Sequence, residues 1–259
     1  MAIGIIGGTG VYDAKLLSEV KQLKISTPYG MTSDLLTVGK LAGKEIVVIP
    51  RHGANHFFSP SKVPFKANIW AMKELGVTKI ISVNAVGSLK EELKPGHFVF
   101  TSQFIDRTTK RDQTFNETGK IGHVSVADPF CNNLREVLIK KAKELDYDFH
   151  YQGTCIVIEG PRFSTRAESV LFKSWGADTV NMTLVPEVVL AREAEICYAN
   201  IAMVTDYDAW KDHAVTNTDV LSVMKGNIEK VRKLLMEVIP LVDDKKACAC
   251  NHAMKDAWM

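Results

Sequence analysis

Short apolar runs alternate along this chain with segments of helical spacing, and most of the apolar runs stop at a polar or glycine-rich cluster. Uninterrupted apolar runs read as strands covered on both faces, an arrangement that needs helices packed on each side of a sheet. The strand-like segments are 3–6, 44–49, 79–83, 97–102, 153–158, 178–181 and 196–205. Helical spacing falls on 67–75, 129–145, 165–175, 186–196 and 219–241, the last amphipathic and lysine-rich on its outer side. This alternation predicts an α/β fold with a helix-covered sheet. No repeat, low-complexity stretch or linker interrupts it, so one domain over 1–259 is the economical reading. The segments 56–65 and 106–123 are long, polar and weakly patterned, and loops of that size in a compact domain are often functional.

Composition narrows the class. A chain of 259 residues with 46% hydrophobic and 24% charged content is ordinary for a globular protein, which argues against disorder and solenoids. A net charge of +2 with no basic cluster argues against a nucleic-acid partner. No apolar run approaches the roughly 20 residues that cross a bilayer, so no membrane partner is expected. The opening MAIGIIGGTG lacks the basic start and apolar stretch of a secretory signal, and a cytoplasmic location is expected.

Strand ends concentrate the polar chemistry: Thr9, Arg51 with His52, Asn84, the 181–183 segment, and Asp206 with Asp208. In α/β sheets such ends gather into one ligand crevice, which predicts that these distant residues meet. The turn Gly4-Ile5-Ile6-Gly7-Gly8-Thr9-Gly10 is not a dinucleotide fingerprint, because its third glycine position holds Asp13. Nor is it a P-loop, since no Lys-Ser or Lys-Thr pair follows. Two readings remain open: a turn whose N–H groups and Thr9 hydroxyl hold a small anion, or a tight strand exit without a ligand. Arg51 brings a guanidinium fork matched to phosphate or carboxylate oxygens, and His52 can add a donor or a proton. With Thr9 and Thr183 at other strand exits, the pair makes an oxyanion cage plausible. Asp206 and Asp208 read on spacing alone as a solvated turn; in a closed pocket, two near carboxylates would raise each other's pKa and suit one as an acid.

The stretches GIIGGTG (4–10), TPYG (27–30), 51–71, GSL (87–89), QFIDRTT (103–109), ADPFC (127–131), IEGPRFSTRAES (158–169), 175–203 and TDYDAW (205–210) resemble the trimeric purine-nucleoside phosphorylases, in particular their methylthioadenosine phosphorylase branch. They follow the family order over nearly the whole chain and fade beyond about Leu221. The resemblance implies a single-domain α/β/α sandwich with a twisted, largely mixed central sheet, and a homotrimer that can pair into a hexamer as a dimer of trimers. It implies phosphorolysis of 5'-methylthioadenosine to adenine and 5-methylthioribose 1-phosphate, with inorganic phosphate as co-substrate and no cofactor. Thr9, Arg51, His52, Asn84 and Thr183 would hold the phosphate. Ala85, Phe163, Ser164, Val180, Asn181 and Met182 would line the ribose and base pocket. Asp206 and Asp208 would face the purine N6/N7 edge, Asp206 as the N7 acid. His123 would reach a neighbouring subunit's 5' site, and Val220 with Leu221 would cover the 5' substituent. Many members of this branch carry threonine where this chain has Asn84, and an amide can still donate to phosphate. Relatives acting on 6-oxopurines carry glutamate after the Gly-Pro-x-Phe stretch; Ser164 here favours adenine-type bases.

Cys248-Ala249-Cys250-Asn251-His252 offers three neighbouring ligands, short of a structural zinc tetrad, and no second Cys-x-Cys completes it, so no metal is expected. By the same resemblance, Cys131 and Cys197 match positions bridged in some heat-adapted relatives, where a Cys-x-Cys pair also closes near the carboxyl end. Two disulfides are therefore expected among Cys131, Cys197, Cys248 and Cys250, against an alternative of five free thiols. Two further functions stay open: a broad-specificity purine-nucleoside phosphorylase acting on adenosine or inosine, and a nucleoside-binding protein on the same fold that could dispense with Asp206.

Overall fold

The computed structural model describes residues 2–8, 10–11, 16–211, 215–243 and 248–259; Thr9 and Asp13, singled out above, lie outside the described residues. In chain order the first half comprises β1 (Ala2–Gly7), β2 (Ser18–Leu23), β3 (Ser26–Thr27), β4 (Gly30–Met31), β5 (Leu36–Leu41), β6 (Lys44–Pro50), α1 (Phe65–Glu74), β7 (Val77–Ser88), β8 (Phe98–Phe100) and β9 (Gln103–Arg107). The second half adds α2 (Asn132–Glu144), β10 (Phe149–His150), β11 (Thr154–Ile158), α3 (Arg166–Ser174), β12 (Thr179–Asn181), α4 (Leu184–Glu193), β13 (Cys197–Tyr207) and α5 (Asn217–Val238). The expected helices and strands all appear, with ends shifted by a few residues. The amino-terminal edge pair β2 and β5 and the strand β9 had no sequence counterpart.

A mixed sheet of 11 strands runs β10-β8-β13-β7-β1-β6-β5-β2, with β12 joining β7 and carrying β11 and then β9. The centre is parallel: β1 lies between β6 and β7, and β13 continues beyond β7. Every residue of β1 is buried, which explains its unbroken apolar run. Successive strand residues face opposite layers. Thus Ile80 packs with Ile69, Met72 and Val188 from α1 and α4, while Ile81 packs with Leu138 and Leu234 from α2 and α5. These two cores are the two outer layers of the sandwich.

The 12-residue β7 changes partner along its length. It pairs with β1 only as far as Ser82, then with β12 at Gly87 and Ser88, while β13 follows it throughout. Asn84 and Ala85 fall where β1 has ended and β12 has not begun. Such a partner change opens a crevice at the carboxyl ends of the parallel strands. The adjoining strand exits are held tightly: Arg51 N–H donates to Gly7 O at 2.8 Å, and α5 braces the glycine turn through Arg232 Nε to Gly10 O at 2.7 Å.

The two expected disulfides are not formed; all five cysteines are free. The four sulfurs of Cys131, Cys197, Cys248 and Cys250 lie within 4.8 Å of one another, and the contact recorded between them joins Cys197 to Cys248 at 3.2 Å. That contact joins members of the two different expected bridges, Cys131 with Cys197 and Cys248 with Cys250, and is well beyond the roughly 2.05 Å of a disulfide. No helix among the described residues is long and apolar enough to cross a membrane.

Gly53, directly after His52, has φ 73 and ψ 179, a conformation close to glycine-only, and a Cβ there would stand 2.7 Å from the Ser33 carbonyl oxygen. Gly53→Ala is expected to cost about 1–3 kcal/mol in urea unfolding, and an unchanged midpoint would show that this turn relaxes freely.

Candidate active site

The first part of the site grows around Arg51, at the exit of β6. Its guanidinium is buried, with 2% of the side chain exposed. The fork expected to face an anion closes instead on a residue that was not singled out: Nε and Nη2 donate to the two carboxylate oxygens of Glu187 at 2.7 and 2.9 Å. Nη2 also reaches Ser82 Oγ at 2.7 Å, and Nη1 donates to Val83 O at 2.9 Å. Nη1 carries two N–H groups, so one remains beyond these contacts. Burial works against the Arg51 charge, but the Glu187 carboxylate outweighs it and leaves the pKa above its ordinary value. Glu187 is completed by Tyr198 Oη at 2.7 Å and the Ser82 hydroxyl at 2.9 Å.

From this pair a buried polar relay runs along β7. The Ser82 hydroxyl stands 3.2 Å from Asn84 Oδ1, which also accepts from Asn200 Nδ2. The Asn200 donor sets which way the Asn84 amide points, so Asn84 Nδ2 donates to Thr183 Oγ1 at 2.8 Å. Because Thr183 Oγ1 accepts in this contact, its hydroxyl proton is left to point elsewhere. Asn84, Arg51 and Thr183 are therefore brought together, as the strand ends implied. His52 adjoins them with its ring stacked on His56 at 4.0 Å, and its Nδ1 lies 2.8 Å from Phe58 O. A carbonyl only accepts, so Nδ1 carries the proton. Burial lowers the His52 pKa to about 4, and the neutral ring then presents Nε2 as an acceptor rather than the donor expected.

The second part lies where β7 meets β12 and β13. A Cβ on Gly87 would stand 3.0 Å from Asp206 Oδ1 and 3.2 Å from Asp208 Cβ, so both carboxylate residues crowd this glycine. Desolvation raises Asp206 from 3.8 to about 6; Thr205 Oγ1, donating at 2.7 Å, opposes that rise, while Asp208 and Asp219 add to it. Asp219 belongs to the first turn of α5, which its capping box with Thr216 starts here. Burial also raises Asp208, tempered by the nearby Ser169 and Ser164 hydroxyls. Asp208 Oδ2, Ser164 Oγ and Ser169 Oγ are nonetheless buried without a hydrogen-bond partner. Three neighbouring orphan polar atoms are unusual enough to mark a ligand-facing group.

Between these parts, Asn181 Nδ2 donates to Ala85 O at 3.0 Å, while its Oδ1 accepts from the Thr183 and Leu184 N–H groups at 2.7 Å each. Val180, 6% exposed, pairs with Gly87. Met182 is placed by a second unforeseen residue, Arg111 from the long 106–123 segment. Arg111 Nη1 donates to Met182 O and Val185 O, both at 2.6 Å, gripping the backbone on either side of Thr183. Its partner is Glu159; hydrogen bonds from Ser61, the Thr109 N–H and Arg111 overcome desolvation and hold that carboxyl down at about 2.

The remaining expected residues stay more open. Phe163 is 38% and Leu221 69% exposed, Val220 is half-buried, and His123 is exposed. No described contact joins His123 to either cluster of its own chain; its N–H donates to Ala257 O at 2.8 Å. Nothing in sequence spacing marks Glu187 or Arg111, because one lies in an apolar helix and the other in a weakly patterned loop.

Removing Glu187 leaves a buried guanidinium uncompensated. Glu187→Ala is expected to lose about 3–5 kcal/mol of unfolding free energy, and a loss below about 1 kcal/mol would mean that the pair contributes no more than a surface bridge.

The chain was compared with known proteins. The phosphorylase superfamily model matches residues 2–240. The S-methyl-5'-thioadenosine phosphorylase of Pyrococcus abyssi is 54% identical over 257 residues, covering 99% of each chain. That of Nitrosopumilus maritimus is 51% identical over 255 residues, covering 98% of this chain and 97% of its own. Among solved structures, the methylthioadenosine phosphorylase of Schistosoma mansoni in complex with adenine superposes with a TM-score of 0.92 at 39% identity, covering 98% of this chain and 96% of that one. A single substituted form of the Schistosoma mansoni adenosine/methylthioadenosine phosphorylase, in complex with methylthioadenosine, gives 0.90 at 40% identity, with the same coverage. With the model matching nearly the whole chain and relatives above 50% identity over almost its full length, this chain belongs to the phosphorylase superfamily.

Proposed function

We propose that this protein cleaves 5'-methylthioadenosine with inorganic phosphate, releasing adenine and 5-methylthioribose 1-phosphate. The observation that carries the reading is the placement, along one strand, of a buried donor cluster at Asn84 and a desolvated carboxyl beside Gly87, three residues and about 10 Å apart. That spacing suits a phosphate on one side of a sugar and a purine on the other. The likeness to phosphorylases solved with adenine and methylthioadenosine supports it.

In this mechanism the C1'–N9 bond breaks with its electron pair passing to the purine, and Asp206 donates its proton to N7. A phosphate oxygen forms the new bond to C1' and stabilises the cationic sugar on the way. The remaining Arg51 N–H and the Thr183 hydroxyl donate to phosphate oxygens, joined by Thr9 and the adjacent turn. Neutral His52 accepts the one O–H of hydrogen phosphate at Nε2. Because Glu187 cancels the Arg51 charge, the site holds its anion by directed hydrogen bonds more than by net charge. Asp208 and Ser164 meet the N6 edge of the base; an amine satisfies the carboxylate, whereas a 6-oxo group would leave two acceptors facing each other. No cofactor enters this scheme. His123 would complete the 5' site of a neighbouring subunit, in a homotrimer.

A second reading has one observation in its favour. Leu221, part of the apolar cover for a methylthio group, is open and Val220 only half-buried, which leaves room for a 5'-hydroxyl and for adenosine as a substrate. A binding protein on this fold has no use for an Asp206 held as an acid.

Adenine release is expected with methylthioadenosine plus phosphate and not without phosphate, and inosine is expected to be a poor substrate. Adenosine turned over with equal kcat/KM would favour the broader reading, and adenine release without phosphate would contradict phosphorolysis. The acid form of Asp206 is fully present well below pH 6, so its contribution to kcat/KM should fall as pH rises through about 6 in the free enzyme. Asp206→Asn should lower turnover roughly 10²–10⁴-fold and abolish that limb.

A further inference from the structure

Four cysteines from three distant parts of the sequence converge at one place outside the site described above. Cys131 caps the start of α2, Cys197 opens β13, and Cys248 and Cys250 flank the start of the short 3-10 turn Ala249–His252. Their sulfurs all lie within 4.8 Å of one another. Cys131, Cys197 and Cys250 are 2–6% exposed and Cys248 is partly buried. A tetrahedral zinc ion bound by four sulfurs at about 2.3 Å holds them about 3.8 Å apart. The recorded 3.2 Å between Cys197 and Cys248 and the 4.8 Å outer limit bracket that spacing.

We infer that Cys131, Cys197, Cys248 and Cys250 form a closed tetrathiolate site for a structural zinc ion. The Cys-x-Cys pair alone is too few ligands; the fold supplies the other two from a helix start and a strand start, both rigid elements. Soft sulfur donors in a four-coordinate, water-poor setting select a thiophilic ion such as zinc over magnesium or calcium. Binding releases the thiol protons and leaves a net double negative charge on the site. Two positive features lie beside it: the amino-terminal end of α2, where Cys131 stands as the N-cap with no side-chain capping hydrogen bond, and Lys79, which lines the small cavity beside Cys131, Cys197 and Cys248.

The site would tie the carboxyl-terminal segment to the sheet. Beyond Cys250, that segment pairs with the 121–123 backbone: Gly122 bridges Trp258, His123 N–H donates to Ala257 O, and Met259 N–H donates to Ile121 O at 3.0 Å. A metal here would anchor one end of the strap whose other end holds His123.

The full-length protein, prepared with zinc and a reductant and then dialysed, is expected to retain one zinc per chain by elemental analysis. Cobalt in its place should give the sulfur-to-cobalt charge-transfer absorption and the d–d bands of a tetrahedral tetrathiolate. Cys250→Ser and Cys197→Ser should each lose that spectrum, while Cys155→Ser, altering a thiol buried on β11, should keep it. Should the first two variants fail to fold, the wild-type cobalt spectrum and the thiol count decide: four thiols shielded until chelation support the site. Failure to take up zinc or cobalt, or two disulfides in protein isolated without reductant, would overturn it, as would a cobalt spectrum unchanged by both serine variants.

Discussion

A guanidinium and a carboxylate, both almost wholly removed from water, meet where the carboxyl ends of β6 and β7 approach α4. Each would be costly alone in that setting, and together they fix one another through two parallel hydrogen bonds. Much of the crevice takes its geometry from this pair. Ser82 bonds to both partners, Asn84 follows Ser82 on the same strand, and the Asn84 amide sets the direction of the Thr183 hydroxyl. Tyr198 and Asn200 close the network from β13. In the proposed function a phosphate entering here would meet donors already aimed, with little reorganisation on binding.

The base end works by the opposite device. There the carboxyls are left without a cation and are pushed toward their neutral forms by desolvation. Asn84 on β7 thus belongs to a cluster of aimed donors, and three residues on, Gly87 makes room for the Asp206 carboxyl of the neighbouring β13. Phosphorolysis needs both at once: stabilisation for a nucleophile that stays anionic and a proton for a base that must leave.

Much of this was legible in the sequence because buried parallel strands announce themselves. The short runs GIIG and KEIVVI read as covered strands, and the polar residues at strand ends commonly gather at one edge of such a sheet. The exposed edge strand β2, with nearly every residue facing solvent, carries no such pattern and was missed. Glu187 was hidden for a related reason: an acid in the largely apolar stretch Leu184–Glu193 reads as part of a solvated helix face until Arg51 is found opposite it. Arg111 was invisible because it grips the backbone carbonyls of Met182 and Val185, which leave no residue-type signature, and its acidic partner Glu159 lies 48 residues away. Spacing could not pair the cysteines either, since the fold brings four together at once. The role of His52 turned on a tautomer, set by a carbonyl six residues away.

Direct phosphate binding separates a framework that aims its donors from one that merely contains them. Calorimetric titration of phosphate into wild-type protein and into Glu187→Gln, a variant that keeps the side-chain volume and some of the hydrogen bonding, tests this most directly. If Glu187 fixes Arg51 and the relay beyond it, the folded variant binds phosphate roughly tenfold or more weakly. A folded variant that binds phosphate as tightly as wild type would contradict the account.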